Sequence, residues 1–276
     1  MSNEVRETTL AVPKRPHPLL LPSYLLLLFL PSYLVLLLGG ALGTPARLAL
    51  MLLPGAMALL LRRITGWGGW QGAGLRHGKI HYYVWAWLIP VAVTGLSFGM
   101  ALLPGWGAWE LPPLADGSRS AELSFLAEAL AGLTIFLVPG LILGLGEELG
   151  WRGYLLPRLW HLGPWLAFIL VGLIWWLWHW SLGILPFGDY RISILAILLG
   201  IVNATLLGIV LAWLYSASGS VITPALAYMA YQNSATVSQA VKVSPYIIAS
   251  LTALILAGIV LALALRGEIR RMELKS

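Results

Sequence analysis

The chain contains no cysteine, which excludes disulfides, thiolate nucleophiles and cysteine-ligated metals while leaving the redox compartment open. Charge is nearly as scarce. Acidic and basic residues make up 10% of the 276 positions, against 59% hydrophobic residues and a mean hydropathy of +0.84. A soluble globule of this size needs more polar surface than that to cover its core. Aspartate is confined to Asp116 and Asp189, both between apolar runs, so a protease built on two intramembrane aspartates is excluded. No HExxH sequence occurs, which removes the zinc helix with two histidines one turn apart. No histidine follows the small-residue stretch SASGS at Ser216 to Ser220, so Ser218 is a poor candidate for a serine nucleophile and the stretch reads as a turn.

What the chain does have is a series of apolar runs of membrane-crossing length, about 20 residues each as helix. Eight spans are expected, at roughly 19–40, 45–61, 82–103, 123–145, 165–187, 192–214, 221–241 and 246–265. The fold class is therefore all-α, a polytopic membrane helix bundle of about eight transmembrane helices. A polar N-terminal tail at 1–18 precedes the helical domain at 19–265, and a basic tail at 266–276 closes the chain. The PSYL sequences at Pro22 and Pro31 read as low complexity within a leucine-rich run, not as a domain repeat. The formal charge of +6 does not point to nucleic acid, because the basic residues cluster at the ends of apolar runs, where they face lipid headgroups. Clusters at Lys14 and Arg15, at Arg62 to Lys79, at Arg152 and Arg158, and at Arg266 to Lys275 fall on one side of eight alternating spans. By the positive-inside rule that side is cytoplasmic and holds both termini.

Ionisable groups inside spans cost on the order of 3 kcal/mol even on lenient scales, so each needs a reason. The stretch GEELGWRG, Gly146 to Gly153, puts Glu147, Glu148 and Arg152 against the fourth span, and His179 lies deep in IWWLWHWSLGILPF. Glu147 precedes Gly163 by 16 residues and His179 follows it by 16. If the chain folds back at Gly163 and Pro164, both lie about 24 Å along their arms at ~1.5 Å per residue, level enough to share one water. Pro157 is expected to kink the first arm. Glu148 and Arg152 are four apart and can pair on one helix face, which leaves Glu147 without a local cation and beside Trp151, as suits a general acid or base. The plainer alternatives are a structural ion-pair cluster and a core histidine bonded to a backbone carbonyl. Trp175, Trp176, Trp178 and Trp180 read as packing and interfacial residues. Asn233 in the seventh span can lie near the same depth, and Asn203 in the sixth reads as a helix-to-helix bond.

EELGWR at Glu147 to Arg152 resembles the EExxxR signature of the CAAX-processing and bacteriocin-processing (CPBP, or Abi) intramembrane endopeptidases. WWLWH resembles their second signature, with Trp175 four before His179, and the resemblance covers about 123–241. It implies a hydrolase in which Glu147 and His179 activate a water against a peptide bond of a membrane-associated peptide or protein, with Glu148 and Arg152 organising the site or engaging substrate. It leaves the cofactor open: a divalent metal such as zinc, with Glu147 and His179 as candidate ligands, or none. The family's third motif, HxxxN, is met by Asn233 but has Met229 in place of histidine, while Tyr228 and Gln232 hold the same spacing one residue earlier. A thioether cannot donate to an oxyanion. The expected function is accordingly an integral plasma-membrane endopeptidase, its partners lipids and substrate and no nucleic acid. The alternatives are a silent scaffold with a binding or immunity role, and a transporter lined by Glu147, His179 and Asn233.

Overall fold

A computed structural model describes residues 19–37, 43–66, 71–110, 130–132, 134, 137–181, 193–234 and 240–273. Helix dominates because a backbone without water must satisfy its own N–H and C=O groups, and a helix does so within one segment. The main helices are α1 (Leu20–Leu37), α2 (Gly43–Thr65), α3 (Ile80–Leu102), α4 (Leu137–Gly150), α5 (Pro164–Ser181), α6 (Ile194–Ser218), α7 (Ile222–Ser234) and α8 (Pro245–Leu265). Among the described residues four stretches are long and apolar enough to cross a membrane: Leu48–Thr65, Ile80–Leu102, Ile194–Ser218 and Pro245–Leu265. Shorter apolar helices run over Leu20–Leu34 and Pro164–Trp180. The chain is thus an all-α membrane bundle. The expected span at 123–145 lies partly outside the described residues.

The seventh expected span, 221–241, is helical over Ile222–Ser234, and residues 235–239 lie outside the described residues. At its far end Val241 belongs to a β-strand, Val241–Val243, paired antiparallel with Gly107–Trp109, Ala108 opposite Lys242. The β-branched Val241 and Val243 flank a lysine there, an alternation that suits a two-sided ribbon better than a helix. Lys242 pairs with Glu110 at the exposed end of this ribbon.

The arm carrying GEELGWRG stays helical through Pro157 by changing pitch. After α4 the residues Trp151–Leu155 form a π-helical turn, then Leu156–Leu159 an α-turn and Trp160–Leu162 a 3₁₀ turn. Pro157 has no N–H to offer the Gly153 carbonyl four residues back. The Arg62 guanidinium donates to that carbonyl instead. The arm reverses where expected: Gly163 has φ 83°, a backbone region that favours glycine, and α5 starts at Pro164.

Helix α4 packs between α2 and α7, α5 packs on α6, and α3 and α8 lie behind α7 and α6. Two close approaches set this arrangement. A Cβ at Gly146 would lie 2.9 Å from Leu52 Cα and 3.0 Å from the Met51 carbonyl oxygen, and one at Gly150 would lie 2.6 Å from the Pro54 carbonyl carbon. Gly146 and Gly150, four apart, therefore form a small-residue face that lets α2 and α4 touch backbone to backbone. Gly172 and Gly208 do the same for α5 and α6, since a Cβ at Gly208 would come within 2.8 Å of Gly172 Cα.

Gly150→Ala is expected to destabilise the protein by about 1–3 kcal/mol through overpacking, read as a lower midpoint of thermal unfolding in detergent. Gly99→Ala in α3, whose added Cβ meets nothing within 4 Å, should leave that midpoint level or raise it, because alanine is the better helix former.

Candidate active site

Gly146 and Gly150 of GEELGWRG point at α2, so the acids between them turn the other way, into the bundle. Glu147, Glu148 and Arg152 are all fully buried. Arg152 Nη1 donates to Glu148 Oε1 at 2.6 Å. The rest of the guanidinium reaches the Gly208 carbonyl at 3.5 Å and lies 5.4 Å from the centre of the Trp175 ring. The expected pair across one helical turn thus exists, although Arg152 sits in the π-helical turn.

Glu147 faces α5. Its Oε2 accepts from Trp175 Nε1 at 2.9 Å and lies 3.7 Å from His179 Nε2, while Oε1 is buried without a partner. The two arms from the Gly163 turn therefore bring acid and imidazole level, as the equal sequence distances require. His179 Nδ1 lies 3.0 Å from the Trp175 carbonyl, which can only accept, so Nδ1 carries the proton. In the neutral ring Nε2 is then the acceptor, and the Tyr228 hydroxyl, 3.2 Å away, donates to it. Such an arrangement can hold one water between two acceptors, a carboxylate and an imidazole, with a phenol at the side.

Helix α7 presents Tyr228, not Met229, to this site. Met229 packs instead on the glycines of α4: added Cβ atoms at Gly140 and Gly144 would meet its side chain at 3.2 and 3.0 Å. Asn233 sits one turn beyond Met229, and its Nδ2 donates to the Gly132 carbonyl at 2.8 Å. Of the five expected site residues, Glu147 and His179 come together and Glu148 pairs with Arg152 beside them, while the amide of Asn233 is engaged with Gly132. The residues that sequence reasoning underrated are Trp175, which bonds the free carboxylate as well as packing, and Tyr228. A signal for Tyr228 was available. Gly140 and Gly144, four apart, make a groove that accommodates Met229, and Tyr228 then turns towards α5.

Catalytic zinc takes three protein ligands as a rule. Among the described residues no group of three or more His, Cys, Asp or Glu side chains comes together. Glu147 and His179 supply two donors, Glu148 is bonded to Arg152, and Met229 faces away. The donor set among the described residues therefore does not fit a three-ligand zinc centre.

Apolar helices of spanning length around a buried carboxylate and a part-buried imidazole define an integral membrane protein of the helix-bundle class. More particularly, residues 129–233 match the family model described as Type II CAAX prenyl endopeptidase Rce1-like, in keeping with the CAAX-processing family that the motifs resemble. The match takes in Glu147, Glu148, Arg152, His179, Tyr228 and Asn233. No curated protein matches the chain.

Removing one member of the buried ion pair leaves the other charge uncompensated, so Glu148→Gln and Arg152→Met are each expected to cost about 3–5 kcal/mol. The double substitution should cost clearly less than the sum of the two, as measured by a double-mutant cycle on unfolding in detergent.

Proposed function

We propose that the protein is an intramembrane endopeptidase in which Glu147 and His179 activate a water against a peptide bond of a membrane-associated substrate. The observation that carries this reading is the approach of Glu147 Oε2 to His179 Nε2, 3.7 Å, in a fully buried carboxylate that the neighbouring ion pair does not neutralise. Folding alone does not call for that extra acid, since one arginine balances one glutamate.

In the proposed reaction the water donates to Glu147 and lies against His179, whose Nε2 becomes its second acceptor as the Tyr228 hydroxyl leaves. Its oxygen bonds to the peptide carbonyl carbon as Glu147 takes a proton, and the carbonyl π pair moves onto oxygen. Tyr228 then turns its hydroxyl from Nε2 to that oxyanion, the role for which Met229 has no donor. Collapse of the intermediate breaks the C–N bond, and the proton held by Glu147 passes to the departing amine. Glu148 and Arg152 hold the α4 arm in register and present one face of the guanidinium to Trp175. Asn233 supports the same end of α7 through Gly132. No step requires a metal. The basic clusters at helix ends favour a plasma-membrane protein with both termini in the cytoplasm, and a site entered from that side or from the bilayer.

Purified protein in vesicles, given membrane-anchored peptides, should cleave them. Glu147→Gln and His179→Ala are each expected to lower the rate about 10²- to 10⁴-fold, and Tyr228→Phe about 10²- to 10³-fold. Met229→His should give no gain, because that side chain is turned towards Gly140 and Gly144. Activity that survives both Glu147→Gln and His179→Ala overturns the assignment. A parent that cleaves none of the peptides favours a binding or immunity role on the same scaffold.

A further inference from the structure

Next to His179 and Tyr228 lies a cavity of about 90 Å³ walled by α5, α6 and α7. Its lining is mostly apolar, with Gly200, Ala204 and Leu207 of α6 and the Trp175 ring of α5. Asn203 Oδ1 and Trp176 Nε1 are buried atoms, out of reach of anything seated there. The remaining polar lining comes from α7, from Tyr231 and Gln232. Gln232 stands one helical turn after Tyr228, so the two share a face of α7. It is exposed, and among the described residues nothing bonds its amide. Other polar groups of the site are engaged: Glu147 accepts from Trp175, Asn233 donates to Gly132, and His179 is bonded at both ring nitrogens. A primary amide also carries donor and acceptor on separate atoms of one plane, whereas a hydroxyl such as that of Tyr231 offers both on one atom.

Hydrolysis requires a carbonyl carbon open to attack, so the substrate around the scissile bond is an extended strand and not a helix. Unwinding frees backbone N–H and C=O groups that an apolar bundle gives no water to bond. Each one left unpaired is costly, so a site that holds a strand needs side chains that answer its backbone. We propose that Gln232 is a substrate-binding residue that clamps this backbone: Oε1 accepts from a substrate N–H, and Nε2 donates to a substrate carbonyl next to the scissile bond. The clamp lies one turn from Tyr228 and so steers the strand past the water at Glu147 and His179. The proposal rests on the peptidase reading and deepens it, since recognition through the backbone selects an unwound segment instead of one side chain.

The test uses full-length Glu147→Gln protein in vesicles, so that binding is read without turnover, and peptides anchored by an apolar segment. In each peptide one backbone amide is replaced by an ester, which removes a single N–H. At one position the ester should bind about 3- to 10-fold more weakly than the all-amide peptide. Adding Gln232→Leu should weaken the all-amide peptide about 10- to 100-fold and abolish the ester penalty at that position, because the N–H has lost its acceptor. Gln232→Glu keeps an acceptor and should retain the penalty. Gln232→Ala decides the matter should Gln232→Leu fail to fold, since alanine suits a helix. Esters that bind like amides at every position overturn the clamp, and so does a penalty that survives the loss of the amide. Cleavage by protein with Glu147 intact separates the two ideas. Hydrolysis whose KM and kcat Gln232→Leu leaves unchanged sinks the clamp alone. An ester penalty that Gln232→Leu removes, without hydrolysis by the parent, sinks the peptidase reading and leaves a backbone-binding groove.

Discussion

A salt bridge buried from all solvent, Arg152 to Glu148 at 2.6 Å, is the contact on which the rest of this bundle turns. Two carboxylates and one guanidinium enter an apolar interior within a single stretch of helix. The pair neutralises itself and so makes the burial tolerable, but it also commits the geometry around it. Arg152 must reach Glu148 from a π-helical turn and touch the Gly208 carbonyl, which requires α6 to come close to α5. Gly172 and Gly208 make that approach possible because neither has a side chain to hold the helices apart.

The second carboxylate, Glu147, gains its place by a different route. Its surroundings are hydrogen-bonding aromatics instead of a cation: the Trp175 indole donates to it, and His179 and Tyr228 close the far side. A charge held by neutral donors remains available to take a proton, whereas one locked to arginine does not. The difference between two adjacent glutamates is thus one of helix face. Glu148 points along the arm to Arg152, four residues on, and Glu147 points across to α5.

The third motif illustrates how rotation about a helix axis changes the meaning of a sequence position. Aligned by spacing alone, Met229 occupies the place of a histidine and the motif looks broken. In the bundle, Gly140 and Gly144 of α4 leave room for a long unbranched side chain, and Met229 fills it. Tyr228 consequently meets His179, and a phenol stands where the resemblance leads one to look for an imidazole. Asn203 carries the same lesson, because its nitrogen bonds two helices as expected of a buried amide while its oxygen stays buried without a partner.

Much of this protein was determined by the sequence alone. Composition made it a helical membrane protein, since so few polar residues cannot cover a soluble core. The four-residue spacing of Glu148 and Arg152 made their pairing a matter of helical pitch, and the equal distances from Gly163 made Glu147 and His179 level. These are local or one-turn relations, and periodicity carries them. The tertiary structure decided what periodicity cannot: which way α7 is rotated, where it stops, and how closely α2 and α4 meet. Those outcomes depend on glycines in one helix facing bulk in another, a match between distant segments that neither segment states by itself. The seventh span shows the limit plainly. Its apolar character predicted a helix to residue 241, but pairing of Val241–Val243 with Gly107–Trp109, far away in the chain, made its end a strand.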